Sequence, residues 1–239
     1  MPLENNLAGR CKIALFGGHA SSSPLQESLL WAKTHNSELA HVVLPPSDAH
    51  GPGFQSVVKD SSDFCVFADG MEVPEKKAVA IASGDCPIVV AYNPDNHKLA
   101  IAHAGRAALT PTSCKACRFN VIAPLLQKVA ERGTDPSRVL IYVTAGICGH
   151  CFQHEQPEAQ GLLTPFQEKY PRAIVGKYGL DLFEVIRASC LERGVKAKNI
   201  THDGLCTKEH EQLASHRCGD KRRNLTVVLL CQDDNGTPS

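Results

Sequence analysis

Two apolar runs, Ile88–Tyr92 and Lys98–His103, are separated by the turn signal Asn93-Pro94-Asp95-Asn96 and by His97. Proline presets the φ that opens a turn, and Asp and Asn side chains bond back onto their own backbone, so this spacer folds the two runs into an antiparallel hairpin. With those four residues as the loop, Tyr92 faces His97, Val90 faces Leu99, Ile88 faces Ile101 and Cys86 faces His103. Directly opposed residues carry Cβ atoms roughly 4.5–5.5 Å apart. A thiol and an imidazole at that separation can share a metal ion or act as a nucleophile and its base. The pairing depends on register, because a one-residue slip sends the two side chains to opposite faces.

The rest of the chain supplies elements to surround that hairpin. Lys12–Phe16 reads as a buried strand ending at Gly17-Gly18. Ser23-Pro24 reads as a helix start, with an apolar stripe at Leu25, Leu29 and Leu30. Short β-type runs follow at His41–Leu44, Phe54–Val58, Cys65–Ala68 and Ala78–Ser83. Asn120–Arg132 and Leu180–Arg193 read as amphipathic helices, the second stopped by Gly194. Val139–Thr144 and Leu225–Cys231 read as buried strands, and a polar tail begins at Gln232. Strands bunch in the middle with helices flanking them. That pattern predicts an α+β fold, a single domain over residues 1–239 in which mixed and antiparallel sheets are layered with helices.

Charge excludes some functions. Lys plus Arg number 25 and Asp plus Glu number 25, so no net field draws the chain to nucleic acid or to an anionic membrane. No run approaches the ~18 apolar residues of a membrane span, and Met1–Arg10 lacks the basic-then-apolar layout of an export signal. The expected location is the cytoplasm. There the 11 cysteines are reduced thiols, some buried as small hydrophobes (Cys190 and Cys231) and others free to serve as ligands or nucleophiles.

Small residues frame the hairpin's chemical end. Asp85-Cys86-Pro87 opens one strand and His103-Ala104-Gly105 closes the other, leaving room for a group to approach the backbone. A third candidate, His50, stands in Ala49-His50-Gly51 within a Pro/Gly-rich loop. Two histidines and one cysteine suit zinc, and three protein ligands with an open fourth position is the catalytic pattern.

At these residues the sequence resembles the laccase-domain-containing (YfiH-type) proteins, known as purine nucleoside phosphorylases and formerly called multicopper polyphenol oxidases. His50 of His50-Gly51, Cys86 of Asp85-Cys86-Pro87 and His103 of His103-Ala104-Gly105 match that family's zinc ligands in order and interval. Gly146-Ile147-Cys148-Gly149-His150-Cys151-Phe152 resembles its Gly/Cys-rich turn, and Leu180-Asp181-Leu182 the opening of its long helix. Gly204-Leu205-Cys206-Thr207 and Ser215-His216-Arg217 resemble its C-terminal elements. The resemblance implies a YfiH-like fold and a zinc cofactor. It implies phosphorolysis of adenosine, inosine or guanosine to base and ribose 1-phosphate, with methylthioadenosine cleavage and adenosine deamination as associated activities. Arg106 and Arg217 are then candidate anion contacts, and the partners are a purine nucleoside and phosphate. The chain departs from the family pattern at Ala107 and Cys218, where arginines are usual, and at Phe16, which immediately precedes the Gly-Gly turn where the family carries a nearby arginine. Arginines bind phosphate and ribose oxygens, so these departures bear on substrate affinity.

Other readings stand beside this one. Cys86 and His103 can form a metal-free cysteine hydrolase or deamidase pair. A copper oxidase is less favoured, since 11 histidines include no His-x-His pair. Cys148-Gly149-His150-Cys151 is also a dithiol redox motif. Cys114-x-x-Cys117 and Cys148-x-x-Cys151 can together form a structural zinc site. A family member that has lost catalysis is the remaining alternative.

Overall fold

The computed structural model describes residues 2–18, 23–45, 57–58, 61–111, 120–130 and 134–231. Among the described residues the strands lie in chain order as β1 Leu3–Leu7, β2 Cys11–Phe16, β3 Glu38–Leu44, β4 Val57–Val58, β5 Cys65–Phe67, β6 Gly70–Glu72, β7 Lys77–Ser83, β8 Ile88–Asn93, β9 Lys98–His103, β10 Leu140–Val143, β11 Ile174–Val175, β12 Gly179–Leu180, β13 Ile200–His202 and β14 Asn224–Leu230. The α-helices are α1 Pro24–Thr34, α2 Arg106–Leu109, α3 Ile122–Val129, α4 Pro157–Gln160, α5 Thr164–Lys169 and α6 Leu182–Leu191. One six-stranded sheet has the order β1-β2-β14-β7-β3-β5, the other β13-β10-β8-β9-β6-β4, and β11 pairs with β12 in a small third sheet. Both large sheets are mixed. In the first, β7–β3 and β3–β5 are parallel, while in the second β10–β13 and β4–β6 are.

Alternation along each strand decides what faces what. Ile88, Val90 and Tyr92 of β8, with Leu99 and Ile101 of β9, meet Ile13, Val79, Ile81 and Val228 of the other sheet in one buried cluster. The intervening Val89, Ala91, Ala100 and Ala102 face outward onto α3 and α6. On the first sheet Ala14, Ala78, Ala80 and Val227 face outward onto Trp31 and Ala32 of α1. The order of layers is therefore helix, sheet, sheet, helix. Alanine on the outward faces lets helices sit close. Strands covered on both sides read as continuous apolar runs, which is why they stand out in sequence as runs rather than as alternating patterns.

Two sequence expectations are corrected here. The hairpin register is Ile88↔His103, Val90↔Ile101, Tyr92↔Leu99 and Asn93↔Lys98, two residues from the expected pairing. Asn93 stays in the strand because its Nδ2 donates to the Val129 carbonyl while its Oδ1 accepts from the Asp95 N–H. The turn is thus Pro94–His97, closed by His97 at φ +56°. In α1 the stripe Leu25, Leu29 and Leu30 is exposed, and the buried face is Ser28, Trp31 and Ala32. β1 also falls in a segment whose polar composition gave no strand signal. Among the described residues no helix is long and apolar enough to cross a membrane.

Candidate active site and a neighbouring thiol cluster

The chain leaves the first sheet at the end of β7 and enters the second at the start of β8, through Gly84-Asp85-Cys86-Pro87. This crossover is held from several sides. The buried Asp85 carboxylate accepts from Thr207 Oγ1 at 2.8 Å, Ser215 Oγ at 2.7 Å and the Arg217 N–H at 2.8 Å. The Asp85 carbonyl accepts from the Ile147 N–H at 2.7 Å, and the Pro87 carbonyl from the Ala104 N–H at 2.9 Å. Buried Asn224 secures the adjoining Gly-Gly turn. Its Oδ1 accepts from the N–H groups of Gly18 and Ala214, and its Nδ2 donates to the carbonyls of Gly84 and Ala214.

Cys86 and His103 are both half-buried at this end of the sheets. They are not directly opposed, since His103 faces Ile88, but the two-residue offset keeps both on one face. They converge over Gly105. A Cβ built on that glycine would lie 2.9 Å from Cys86 Sγ, 2.8 Å from His103 Cε1 and 3.2 Å from His103 Nε2. Glycine thus keeps open the space that a thiolate and an imidazole both border. A soft sulfur and a borderline nitrogen around such a space fit a zinc ion. His50, the third residue of the expected ligand set, lies outside the described residues, as do Cys114 and Cys117.

Gly105 also begins α2, so Arg106 follows directly from the space over Gly105. Arg106 and Arg217 both act on His154. Burial lowers the His154 pKa below its ordinary 6.5, and the positive charges of Arg106 and Arg217 lower it further. The ring is buried and its Nδ1 has no hydrogen-bond partner. Phe152 orders the group, with its ring 4.6 Å from that of His154 and the Arg217 guanidinium 4.8 Å above its face. Arg217 Nη1 donates to the Gln153 carbonyl at 2.9 Å. Two guanidinium groups and a neutral imidazole held this way can take an anion. Ala107 is half-buried and Cys218 exposed, and neither can stand in for an arginine.

On the other side of the crossover Cys148, Cys151, Cys206 and Glu209 bring four ligand atoms within 4.8 Å of one another. This set can bind a metal. After β10 the Cys148–Cys151 segment makes a tight turn, with the N–H groups of Cys151 and Phe152 both donating to the Cys148 carbonyl. It opens no helix, unlike a dithiol redox motif. Burial, followed by hydrogen bonds to Cys148 and Glu209, pushes the Cys151 thiol up to about 12, and burial raises Cys206 as well. Such thiols are poor nucleophiles. Among the described residues the cysteine pair lies beside Cys206 and Glu209, a proximity hidden in sequence because the segments are far apart along the chain. The adjacent cleft of about 190 Å³, lined in part by Pro87, Cys148, His202 and Glu209, is smaller than the ~300 Å³ at which small-molecule sites begin.

The family model described as multi-copper polyphenol oxidoreductase laccase matches residues 22–230. A purine nucleoside phosphorylase of Corynebacterium glutamicum is 29% identical over 154 residues, 64% of this chain and 58% of that protein. Another, of Streptomyces coelicolor, is 23% identical over 185 residues, 77% of this chain and 67% of that protein. This chain thus spans less than two thirds of the Corynebacterium protein. Among solved structures, a hypothetical protein YfiH of Bacillus licheniformis aligns with a TM-score of 0.70 at 18% identity, covering 92% of each chain. YlmD of Geobacillus stearothermophilus aligns at 0.69 and 19% identity, covering 94% of this chain and 93% of that one. These structures establish the shared fold. By sequence and by fold, the chain belongs to the YfiH-type laccase-domain family, the multi-copper polyphenol oxidoreductase laccases of the family model.

Proposed function

We propose that this protein is a zinc-dependent purine nucleoside phosphorylase acting in the reducing cytoplasm on adenosine, inosine or guanosine with inorganic phosphate. The observation that carries the reading is the convergence of Cys86 Sγ and the His103 imidazole on the space kept open by Gly105. The names of the two bacterial relatives supply the substrate class. Cys86 and His103 hold the metal with His50, the last by family resemblance. A zinc ion so held supplies Lewis acidity and a water of lowered pKa. Zinc is preferred to copper because three protein ligands with an open fourth position is the catalytic zinc pattern, and the sequence has none of the His-x-His pairs that multicopper centres use.

In this reading Arg106 and Arg217 bind and orient phosphate, and neutral His154 Nδ1 accepts a hydrogen bond from its protonated oxygen. A phosphate oxygen then bonds to C1′ of the ribose while the glycosidic C1′–N9 bond breaks. The bonding pair leaves with the purine, whose ring takes up the proton the phosphate gives up, giving base and ribose 1-phosphate. Asp85 is a positioning residue, holding the Cys86 turn and the Arg217 backbone from one carboxylate. Alanine at position 107 and cysteine at 218 leave fewer cations for the anion than the family pattern provides, which argues for weak phosphate affinity. Adenosine deamination, in which phosphate takes no part, belongs to the same proposal.

A second reading has a specific observation behind it, since the same thiol and imidazole suit a metal-free cysteine hydrolase. Metal analysis and product analysis together separate the two. The purified protein should carry zinc at the first site and convert adenosine or inosine plus phosphate to base and ribose 1-phosphate. Cys86→Ala should lose both that zinc and turnover. Zinc unaffected by Cys86→Ala, or nucleoside cleavage that persists in a metal-stripped protein, would overturn the zinc reading.

A further inference from the structure

We propose that Cys148, Cys151, Cys206 and Glu209 form a second, structural zinc site that clamps the segments supporting the Cys86 turn. The inference is independent of the phosphorylase reading, because it needs neither Cys86 nor His103. Three thiol sulfurs and a carboxylate oxygen already lie within 4.8 Å of one another. Tetrahedral zinc with bonds of about 2.3 Å to sulfur separates its ligands by roughly 3.8 Å, so loading requires a contraction of about an ångström and no rearrangement of the chain.

The backbone around the four residues is built to present them. The ligands come as two turns of the same spacing, Cys148-x-x-Cys151 and Cys206-x-x-Glu209. In each, the N–H of the last residue donates to the carbonyl of the first, at 3.0 and 3.1 Å. A parallel bridge between Gly146 and Cys206 sets the turns side by side. The Cys148 N–H donates to Cys206 Sγ at 3.4 Å, the kind of contact that stabilises a thiolate bound to a metal. Cys206 is buried while Glu209 is exposed, so the site has a dry side and an open side by which an ion can enter.

What the site would do follows from its neighbours. Ile147, between the bridge and Cys148, donates to the Asp85 carbonyl, and Thr207, next to Cys206, donates to the Asp85 carboxylate. An ion linking the two turns ties together both of these supports. The site closes four of the chain's own side chains around the metal, whereas the site at Cys86 keeps a position for substrate. Metal bound to the folded chain and absent from the unfolded one adds directly to folding stability.

The test uses the full chain, purified under reducing conditions, with zinc content measured by mass spectrometry. Cys86→Ala should retain about one equivalent of zinc, and Cys206→Ser in the same background should lose it. Because Cys206→Ser also alters a buried side chain, the same question is put to the unaltered protein. After chelation and addition of zinc alone, Cys148, Cys151 and Cys206 should be protected from alkylation as a set, as read by peptide mass, and the melting temperature should rise. A Cys86→Ala protein that is folded but free of zinc would overturn the proposal. So would zinc that leaves these three thiols as reactive as before, or a disulfide among them in the reduced preparation. Zinc at Cys86 is read separately, from the difference in zinc content between the unaltered protein and Cys86→Ala.

Discussion

At the scale of single residues, the chemistry turns on what is missing from Gly105 and what surrounds His154. Gly105→Ala would place a methyl 2.9 Å from Cys86 Sγ and 2.8 Å from His103 Cε1, well inside van der Waals contact. The fold has room to survive this, since Gly105 caps a four-residue helix with ordinary φ. The expected outcome is an unchanged circular dichroism spectrum with loss of the Cys86-dependent zinc and of turnover. His154 makes a different prediction. Burial and two arginines keep its folded pKa below 6.5, so the unfolded chain takes up this proton first as pH falls. Stability from His154 is fully present above its unfolded pKa and is lost as pH drops from about 6.5 toward the lower folded value. Denaturant unfolding at a series of pH values should show a smaller loss over that window in His154→Gln, and an unaltered pH dependence would remove His154 from the account. Cys86 and His103 could be singled out as candidates in sequence because each sits in a local motif, whereas Arg106 and Arg217 were candidates only through the family resemblance. Asp85 was visible only as part of its motif. Thr207 and Ser215, its partners at sequence separations of 122 and 130, acquire their meaning only when the chain closes on itself. The same is true of Asn224 and His154.

Among elements, the central strands were legible because apolar runs covered on both faces admit few other readings. The hairpin's exact pairing was not, because Asn93 is a turn residue by type and a strand residue by circumstance, drawn in by its bond to Val129. The resulting offset is even, so side chains kept their faces. Helix α1 shows the limit of periodicity more sharply. Leu25, Leu29 and Leu30 resemble a core stripe, yet Trp31 fills the space above Phe16 at 6.3 Å between ring centroids and donates Nε1–H to Glu4 of β1. One large aromatic ring outweighs three leucines in deciding which face is buried. Trp31→Ala should cost about 3–5 kcal/mol by cavity formation, whereas Leu30→Lys, at a position 65% exposed, should stay within about 0.5 kcal/mol. Denaturant midpoints of the two variants measure both values, and a reversal would mean that α1 packs by its leucines.

Taken as a whole, the molecule joins two sheets through a shared buried cluster and through a chain that passes between them repeatedly, and this has a consequence for how it unfolds. We propose that the chain is a single folding unit, as its sequence leads one to expect. Met71, Ile88, Val90 and Ile101 of one sheet interlock with Ile13, Val79, Ile81 and Val228 of the other, so neither sheet keeps a covered inner face without its partner. Each would expose an apolar surface that no helix on its own side can reach. The site spans the same junction, because Asp85 leaves the first sheet and Cys86 enters the second. Trp31, the chain's one tryptophan, reports on the first sheet's outer layer. The pairing of β8 with β9, followed by amide hydrogen exchange, reports on the second. In a denaturant titration the two probes should share one midpoint. Ile81→Ala, which opens a cavity between the sheets from β7 and lies in neither the Trp31 layer nor the β8–β9 pair, should lower the stability read by both probes by the same amount, about 2–5 kcal/mol. If fluorescence moved and exchange in β8 and β9 did not, the sheets would be separable units. The crossover at Asp85-Cys86-Pro87 would then be a hinge between them, and the geometry of Cys86 over Gly105 would depend on how the two halves dock rather than on a common core.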